Sequence, residues 1–286
     1  MMTSRREFLA VAGAASEIGA PSARRRGHPE LALATICIEG FGPTNFAKTF
    51  KAAPLLGMNN IEFNLWHADQ LTPHSVKRIK AICDRQKLRP ISLQVNAFVG
   101  ADEPEIAREV SRWLWLIEIC KAWGCSLIKA TGEARGTRGG TAGIMNVLAQ
   151  VLPAAQAAHV RIALENHFEN NIEFPEDFEA FFSALPHSSL GMCLDMAHFV
   201  ASGVDPVPLI QRFGRKIFHV DVKDCDGPGR HHVTPYGKGL VPLQAMLQGL
   251  RDAGYQGFWV IEYARAAGDV PLAELAEGIH IARSYL

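Results

Sequence analysis

Short apolar runs that alternate with amphipathic helical segments predict an α/β protein, a single parallel eight-stranded (β/α)8 barrel, along this 286-residue chain. Two further observations agree. The stretch 28–286 has the length of one such barrel, typically about 250 residues, and no linker divides it. In its second half four runs each end in a carboxylate, Glu165, Asp195, Asp221 and Glu262, spaced 30, 26 and 41 positions apart. That interval is one strand-loop-helix-loop unit.

Taken in order, residues 1–27 are an extension. It carries Ser4-Arg5-Arg6-Glu7-Phe8-Leu9 and the small apolar stretch Ala10 to Ala15, which together resemble a twin-arginine export signal. That resemblance implies a periplasmic protein; the alternative is a disordered basic tail on a cytoplasmic enzyme. Strand runs follow at 31–38, 60–64, 90–95 and 126–130. Between the third and fourth, Ile106, Val110, Trp113, Leu114, Ile117 and Cys120 recur at three- and four-residue steps and predict a helix over 104–123. Gly57, Gly124 and Gly254 fall between a helical segment and the next strand, where a left-handed helix cap is wanted. The last four strands run from Val160 to Glu165, Leu190 to Asp195, Ile217 to Asp221 and Phe258 to Glu262. They are mostly hydrophobic, as strands buried on both faces are. Leu272, Leu275, Ile279 and Ala282 mark the closing helix, with Pro271 at its first turn.

The charge balance, 29 basic against 29 acidic residues, gives no basic surplus for nucleic acid or an anionic membrane surface. No run of roughly 18 apolar residues exists, so no membrane insertion is expected. The six cysteines offer no Cys-x-x-Cys pair and fall on strand and helix segments, which reads as small buried hydrophobes rather than a zinc cluster. The sequence leaves a homo-oligomer open.

Four carboxylates gathered at one rim repel one another, and burial would raise their pKa values unless a cation compensates. A divalent metal on Glu165, Asp195, Asp221 and Glu262 is therefore expected. An all-oxygen ligand set favours a hard ion, Mn²⁺ or Mg²⁺, with Ca²⁺ allowed. One such acid alone would read as a helix cap or a surface charge; four in matched positions read as a site. Residues two apart share a strand face. This places His219, Asp221 and Lys223 together inside the barrel, and groups Ala163, Glu165 and His167. His198, three residues past Asp195, lies on a loop lining the active face, within reach of a substrate hydroxyl. Trp66 and His67, after the second strand, are candidate pocket walls. Lys223 either holds a substrate oxygen or pairs with Asp224 or another carboxylate. His219 reads as a packed core residue and His231 and His232 as loop residues. Tyr236-Gly237-Lys238-Gly239 reads as a backbone turn.

The runs Ala163-Leu-Glu165-Asn-His167, Cys193-Leu-Asp195-Met-Ala-His198, His219-Val-Asp221-Val-Lys223-Asp224 and Val260-Ile-Glu262 resemble the xylose isomerase-like TIM-barrel superfamily, over roughly residues 31–286. The resemblance implies a metal-dependent sugar isomerase or epimerase of carbohydrate metabolism. It would transfer a proton next to a carbonyl through an enediolate, with Glu165 and Glu262 as paired acid and base that also ligate the metal. The substrate would be a small sugar or polyol without phosphate. Many epimerases of the superfamily carry a second histidine, in a His-x-His-x-Lys-Asp pattern, where this chain has Asp221; carboxylates serve at comparable sites in xylose isomerases. The alternative is a lyase or hydrolase acting on an oxidised (keto) sugar or glycoside through the same metal site. DNA repair endonucleases share the fold, but the zero net charge and few strand-end histidines count against that chemistry.

Overall fold

The computed structural model describes residues 29–265, 268 and 270–286, so the export-signal motif lies outside the described residues. Eight parallel strands close into one barrel in sequence order. They are β1 (Glu30–Ala34), β2 (Asn60–Leu65), β3 (Arg89–Val95), β4 (Leu127–Ala130), β5 (Arg161–Glu165), β6 (Leu190–Asp195), β7 (Ile217–Val222) and β8 (Phe258–Ile261). β8 pairs back onto β1 through Leu31 opposite Trp259 and Leu33 opposite Ile261. Closure leaves the sheet no free edge.

The helices pack their apolar stripes on the outside of this cylinder. Glu103–Trp123 shows how the sequence sets one: Asp102 accepts from the Glu105 amide at 3.0 Å, and Gly124 ends the helix at φ 73°. That left-handed angle is the one only glycine takes without penalty. Trp113, Ile117 and Cys120 from its inner face are buried with Phe63 and Phe98 in the main core. Each such side chain contributes about 1.5–3 kcal/mol on burial. All six cysteines are buried and unbridged, as expected. Among the described residues no helix is long and apolar enough to cross a membrane.

One expected element is divided. The run 31–38 forms β1 only to Ala34, and Ile36–Glu39 is a helical turn. The cause is Asn64: its Oδ1 accepts from Thr35 Oγ1 at 2.7 Å and from the Ile36 amide at 2.8 Å. Those bonds draw the backbone out of the ladder where the apolar pattern alone predicts that the strand continues.

Inside the barrel, Leu127, Ala163 and Cys193 form a small apolar layer. Above it, towards the carboxyl ends of the strands, the interior turns polar.

Candidate active site at the carboxyl ends of the strands

Period-two alternation carries a set of charged and polar side chains inward. Glu62 comes from β2, Gln94 from β3, Lys129 from β4, Glu165 from β5, Asp195 from β6 and His219 and Asp221 from β7, with Glu262 and Lys223 one residue past their strands. The register sets Asp195 beside Asp221 and Gln94 beside Lys129. All of these side chains are buried.

Two ammonium groups organise the cluster. Lys129 Nζ lies 2.6 Å from Asp221 Oδ2, 2.8 Å from Glu262 Oε2, 2.9 Å from Glu62 Oε1 and 3.9 Å from Glu165 Oε1. Lys223 Nζ spans Asp195 Oδ2 and Glu262 Oε1 at 2.7 Å from each. The sequence pairing of Lys223 with Asp224 is not made. Asp224 instead accepts four backbone amides, from Cys225, Gly237, Gly239 and Val241, at 2.9 to 3.1 Å. The Tyr236–Gly239 segment is thus a turn gathered on one carboxylate, and a Cβ at Gly239 would run into that carboxylate.

The four strand-end acids converge, but unequally. Asp221 is engaged on one side: Lys129 and Cys193 Sγ donate to Oδ2, while Oδ1 has no aligned hydrogen bond, with His219 Nε2 3.3 Å away. Burial alone would raise its pKa, yet Lys129 and His219 hold it well below the usual carboxylate range. Glu62 takes Ser92 Oγ at 2.6 Å and faces His219 Nε2 at 2.9 Å. Burial opposes the charge on His219, but Glu62 and Asp221 prevail and raise the imidazole to about 9.

Glu165 is the poorly served acid, and burial also raises Asp195. The nearest donors to Glu165 are Gln94 Nε2 at 3.4 Å and Lys129 at 3.9 Å. Burial pushes Glu165 up to about 8, against Lys129 and helped by Glu262 and Asp221. Asp195 doubles as a helix N-cap. Its Oδ1 accepts the His198 amide at 2.9 Å, while Oδ2 lies 2.7 Å from Lys223 Nζ. Burial pushes Asp195 to about 6, with Lys223 opposing. Asn166 locks the two strand ends together, giving Nδ2–H to Asp195 O and accepting the Asp195 amide, both at 2.9 Å.

Above the acids three histidine rings stack. His198 lies 3.8 Å from both His167 and His231, centroid to centroid. The Phe168 amide donates to His198 Nδ1 at 3.2 Å, which puts the ring proton on Nε2, facing Asp195 Oδ2 at 3.8 Å. Burial holds His198 well below its ordinary pKa and His231 near about 3, so the stack is uncharged at neutral pH. The two remaining pocket residues read from the sequence follow β2 and meet Phe41. Trp66 packs on Phe41 at 5.7 Å, and His67 Nε2 meets Phe41 O at 3.1 Å.

The donor set suits a divalent cation. Ligand atoms of Glu165, Asp195 and His198 lie within 4.8 Å of one another, as do those of Glu62, Asp221 and Glu262. Five buried carboxylates face two ammoniums and one imidazolium, so the cluster is short of positive charge. Glu165, with no donor nearer than 3.4 Å, is the carboxyl group farthest from a compensating charge. A cavity of about 830 Å³ opens on the opposite face, lined by Arg89, Arg161, Arg215 and Tyr255. The acids stand at the carboxyl-terminal face, which is where barrel enzymes carry their chemistry.

A closed parallel barrel with buried acids at its strand ends has the layout of a (β/α)8 enzyme. Residues 50–285 match the xylose isomerase-like TIM barrel family, and the chain belongs to that family. An uncharacterised protein of Mycobacterium leprae, ML2432, is 23% identical over 85% of this chain and 94% of its own length. The inosose isomerase of Bacillus velezensis is 24% identical over 69% of this chain and 75% of its own. The inosose dehydratase of Lacticaseibacillus casei is 19% identical, over 38% of this chain and only 42% of its own length. Among solved structures, a xylose isomerase domain protein from Planctomyces limnophilus superposes with a TM-score of 0.74, at 16% identity over 90% of this chain and 97% of that one. The IOLI protein, solved with a zinc atom, gives 0.72 at 20% identity over 89% and 96%. The 3-keto-D-glucoside 4-epimerase YcjR of E. coli gives 0.72 at 15% identity over 90% and 100%.

Proposed function

We propose that the chain is a sugar or cyclitol isomerase or epimerase, moving a proton at the carbon beside a carbonyl. Glu165 carries this reading: a buried strand-end carboxylate without a close donor, poised at about 8, is suited to general-base work near neutral pH. The inosose isomerase among its relatives supports a polyhydroxy ketone as substrate.

Glu165, Asp195 and Glu262 would hold a divalent cation, which when bound supplies Lewis-acid polarisation of the substrate carbonyl. Glu165 takes the proton from carbon. Glu262, after taking a proton from the Lys223 ammonium that it touches, gives that proton to carbon on the other face; Lys223 regains one from solvent as Glu165 releases its own. Lys223 donates to the oxygen that gains negative charge as the enediolate forms. His198 and His167, uncharged in their stack, bind hydroxyls of a neutral substrate. The Arg5-Arg6 motif supports export.

The test is incubation of the Mn²⁺-loaded enzyme in D₂O with inososes, ketoses and keto-glycosides, read by NMR and mass spectrometry. Deuterium beside the carbonyl with the formula otherwise unchanged is the expected result. Loss of water would select elimination instead. That second reading is favoured by the dehydratase relative and by Lys223, which could protonate a departing hydroxyl. Loss of an aglycone would select hydrolysis.

A further inference from the structure

The acids occupy one mouth of the barrel, and the other mouth is cationic. Arg89 opens β3, Arg161 opens β5 and Arg215 lies two residues before β7; all three line the cavity of about 830 Å³ at the amino-terminal face. Among the described residues no aspartate or glutamate lines it. Glu30, 3.6 Å from Arg89, stands outside the lining, and both of those side chains are more than half exposed. Arg215 makes no ion pair among the described residues. The strands are re-aimed at this rim. In the ladder of β2 with β3, Ile61 faces Pro90 and Glu62 faces Ser92, so Ile91 is an extra residue and Arg89 stands opposite Asn60. In the ladder of β6 with β7 the extra residue is Phe218, between Ile217 opposite Met192 and His219 opposite Cys193. Such bulges turn neighbouring side chains to a new direction. Here Arg161 lies on the Phe218 ring at 4.8 Å and Arg89 on the Phe258 ring at 5.0 Å. Tyr255 Oη reaches the carbonyls of the same two phenylalanines, Phe258 at 3.1 Å and Phe218 at 3.4 Å, and a Cβ at Gly257 would strike that hydroxyl.

We infer that this amino-terminal mouth is a binding site for a small organic phosphate. Arginines gathered round one cavity with no lining carboxylate repel one another, and a ligand with two or more negative charges relieves that repulsion. A guanidinium laid on a ring keeps its N–H donors in its own plane, where they meet phosphate oxygens in pairs. The rings and the Tyr255 brace fix that plane in advance, which lowers the cost of ordering the arginines on binding. Ile91, Ile210 and Leu250 supply an apolar wall for a carbon skeleton, and the volume falls within the roughly 300–1,000 Å³ of small-molecule sites. Leu127, which also lines the cavity, belongs to the apolar layer beneath the acids. Binding here therefore needs neither the metal nor the sugar chemistry proposed above.

Calorimetric titration of the metal-free protein with ADP and with fructose 1,6-bisphosphate, at about 0.1 M salt, tests this without turnover. At least one of the two should saturate at one equivalent per chain. Arg161→Gln and Arg215→Gln should each weaken that binding by about 10-fold or more, the contribution of one hydrogen bond between charged groups. Arg138→Gln, on the loop after β4 at the opposite mouth, should leave it within about twofold, as expected of a residue that touches no part of the cavity. Thermal melts verify folding, and Arg215→Gln, which breaks no ion pair among the described residues, decides the matter should Arg161→Gln fail to fold. Binding of neither compound, saturation only at several equivalents, or equal weakening by Arg138→Gln would overturn the assignment.

Discussion

Lys129 Nζ lies 2.6 Å from Asp221 Oδ2, so that β4 and β7, three strands apart around the barrel, are joined by a buried ion pair. Taking both charges out of water costs several kcal/mol each, and the pair is sustained only because Glu62 and Glu262 surround the same ammonium.

Lys129→Met keeps most of the side-chain volume and removes the charge. The carboxylates left behind should cost about 3–5 kcal/mol of stability, measured by urea unfolding. Adding Glu62→Gln should return part of that loss, because the two sites are coupled. Independent, additive effects would mean that Lys129 is not the common partner.

The stability of the metal-free protein should fall as pH rises from about 6.5 to about 8. Glu165, raised to about 8, holds a proton in the folded state that the unfolded chain has already released. His219, raised to about 9, likewise loses its stabilising contribution as pH climbs from its unfolded value towards 9. His231, held near about 3, acts the other way, but only below its unfolded pKa. Melting temperatures across this range should therefore decline without metal, and Mn²⁺ should restore them at pH 8 by mass action. A flat profile would contradict the isolation of Glu165.

Glu165→Gln and Glu262→Gln should each slow deuterium exchange into substrate by about 10²–10⁴-fold, the usual contribution of a general acid or base. Glu165→Gln should at the same time raise the melting temperature of the metal-free protein at pH 8, since it removes a carboxylate that burial opposes. Unchanged exchange in either variant would remove that residue from the proton path.

His231→Ala opens the end of the ring stack. Aromatic pairs are worth about 0.5–1.5 kcal/mol, which corresponds to a loss of roughly 2–10-fold in kcat/KM, carried mainly by KM. An effect confined to kcat would place His231 in the chemistry instead.

Much of this arrangement is legible in the sequence, and the misses have physical causes. Glu165, Asp195, Asp221 and Glu262 are visible because each closes an apolar run at a regular interval. Lys129 is not, since a single lysine in Leu127-Ile-Lys-Ala130 looks like the polar end of a strand. The usable signal was alternation. Glu62 and Asn64, Ser92 and Gln94, and Lys129 stand at inward positions of runs that are otherwise apolar, as His219, Asp221 and Lys223 do. The inequality among the acids could not be read at all, because it depends on which donors meet which oxygens across the barrel. Trp66 and His67 follow β2 at that same end, where Gln70 Oε1 accepts from both their amides and Trp66 packs on Phe41.

The loop after β7 has a design that bears on how this enzyme class diversifies. One carboxylate, Asp224, gathers amides from both ends of the segment that carries His231, so the span between is tied at a single post. Such a segment behaves as an interchangeable cassette: its tip can be rewritten or swapped to suit another substrate while the anchorage, and with it the strand that presents Asp221 and Lys223, stays in place. A transplant lacking the acceptor at 224, or bearing a side chain at 239, would lose that modularity and slacken the barrel rim itself.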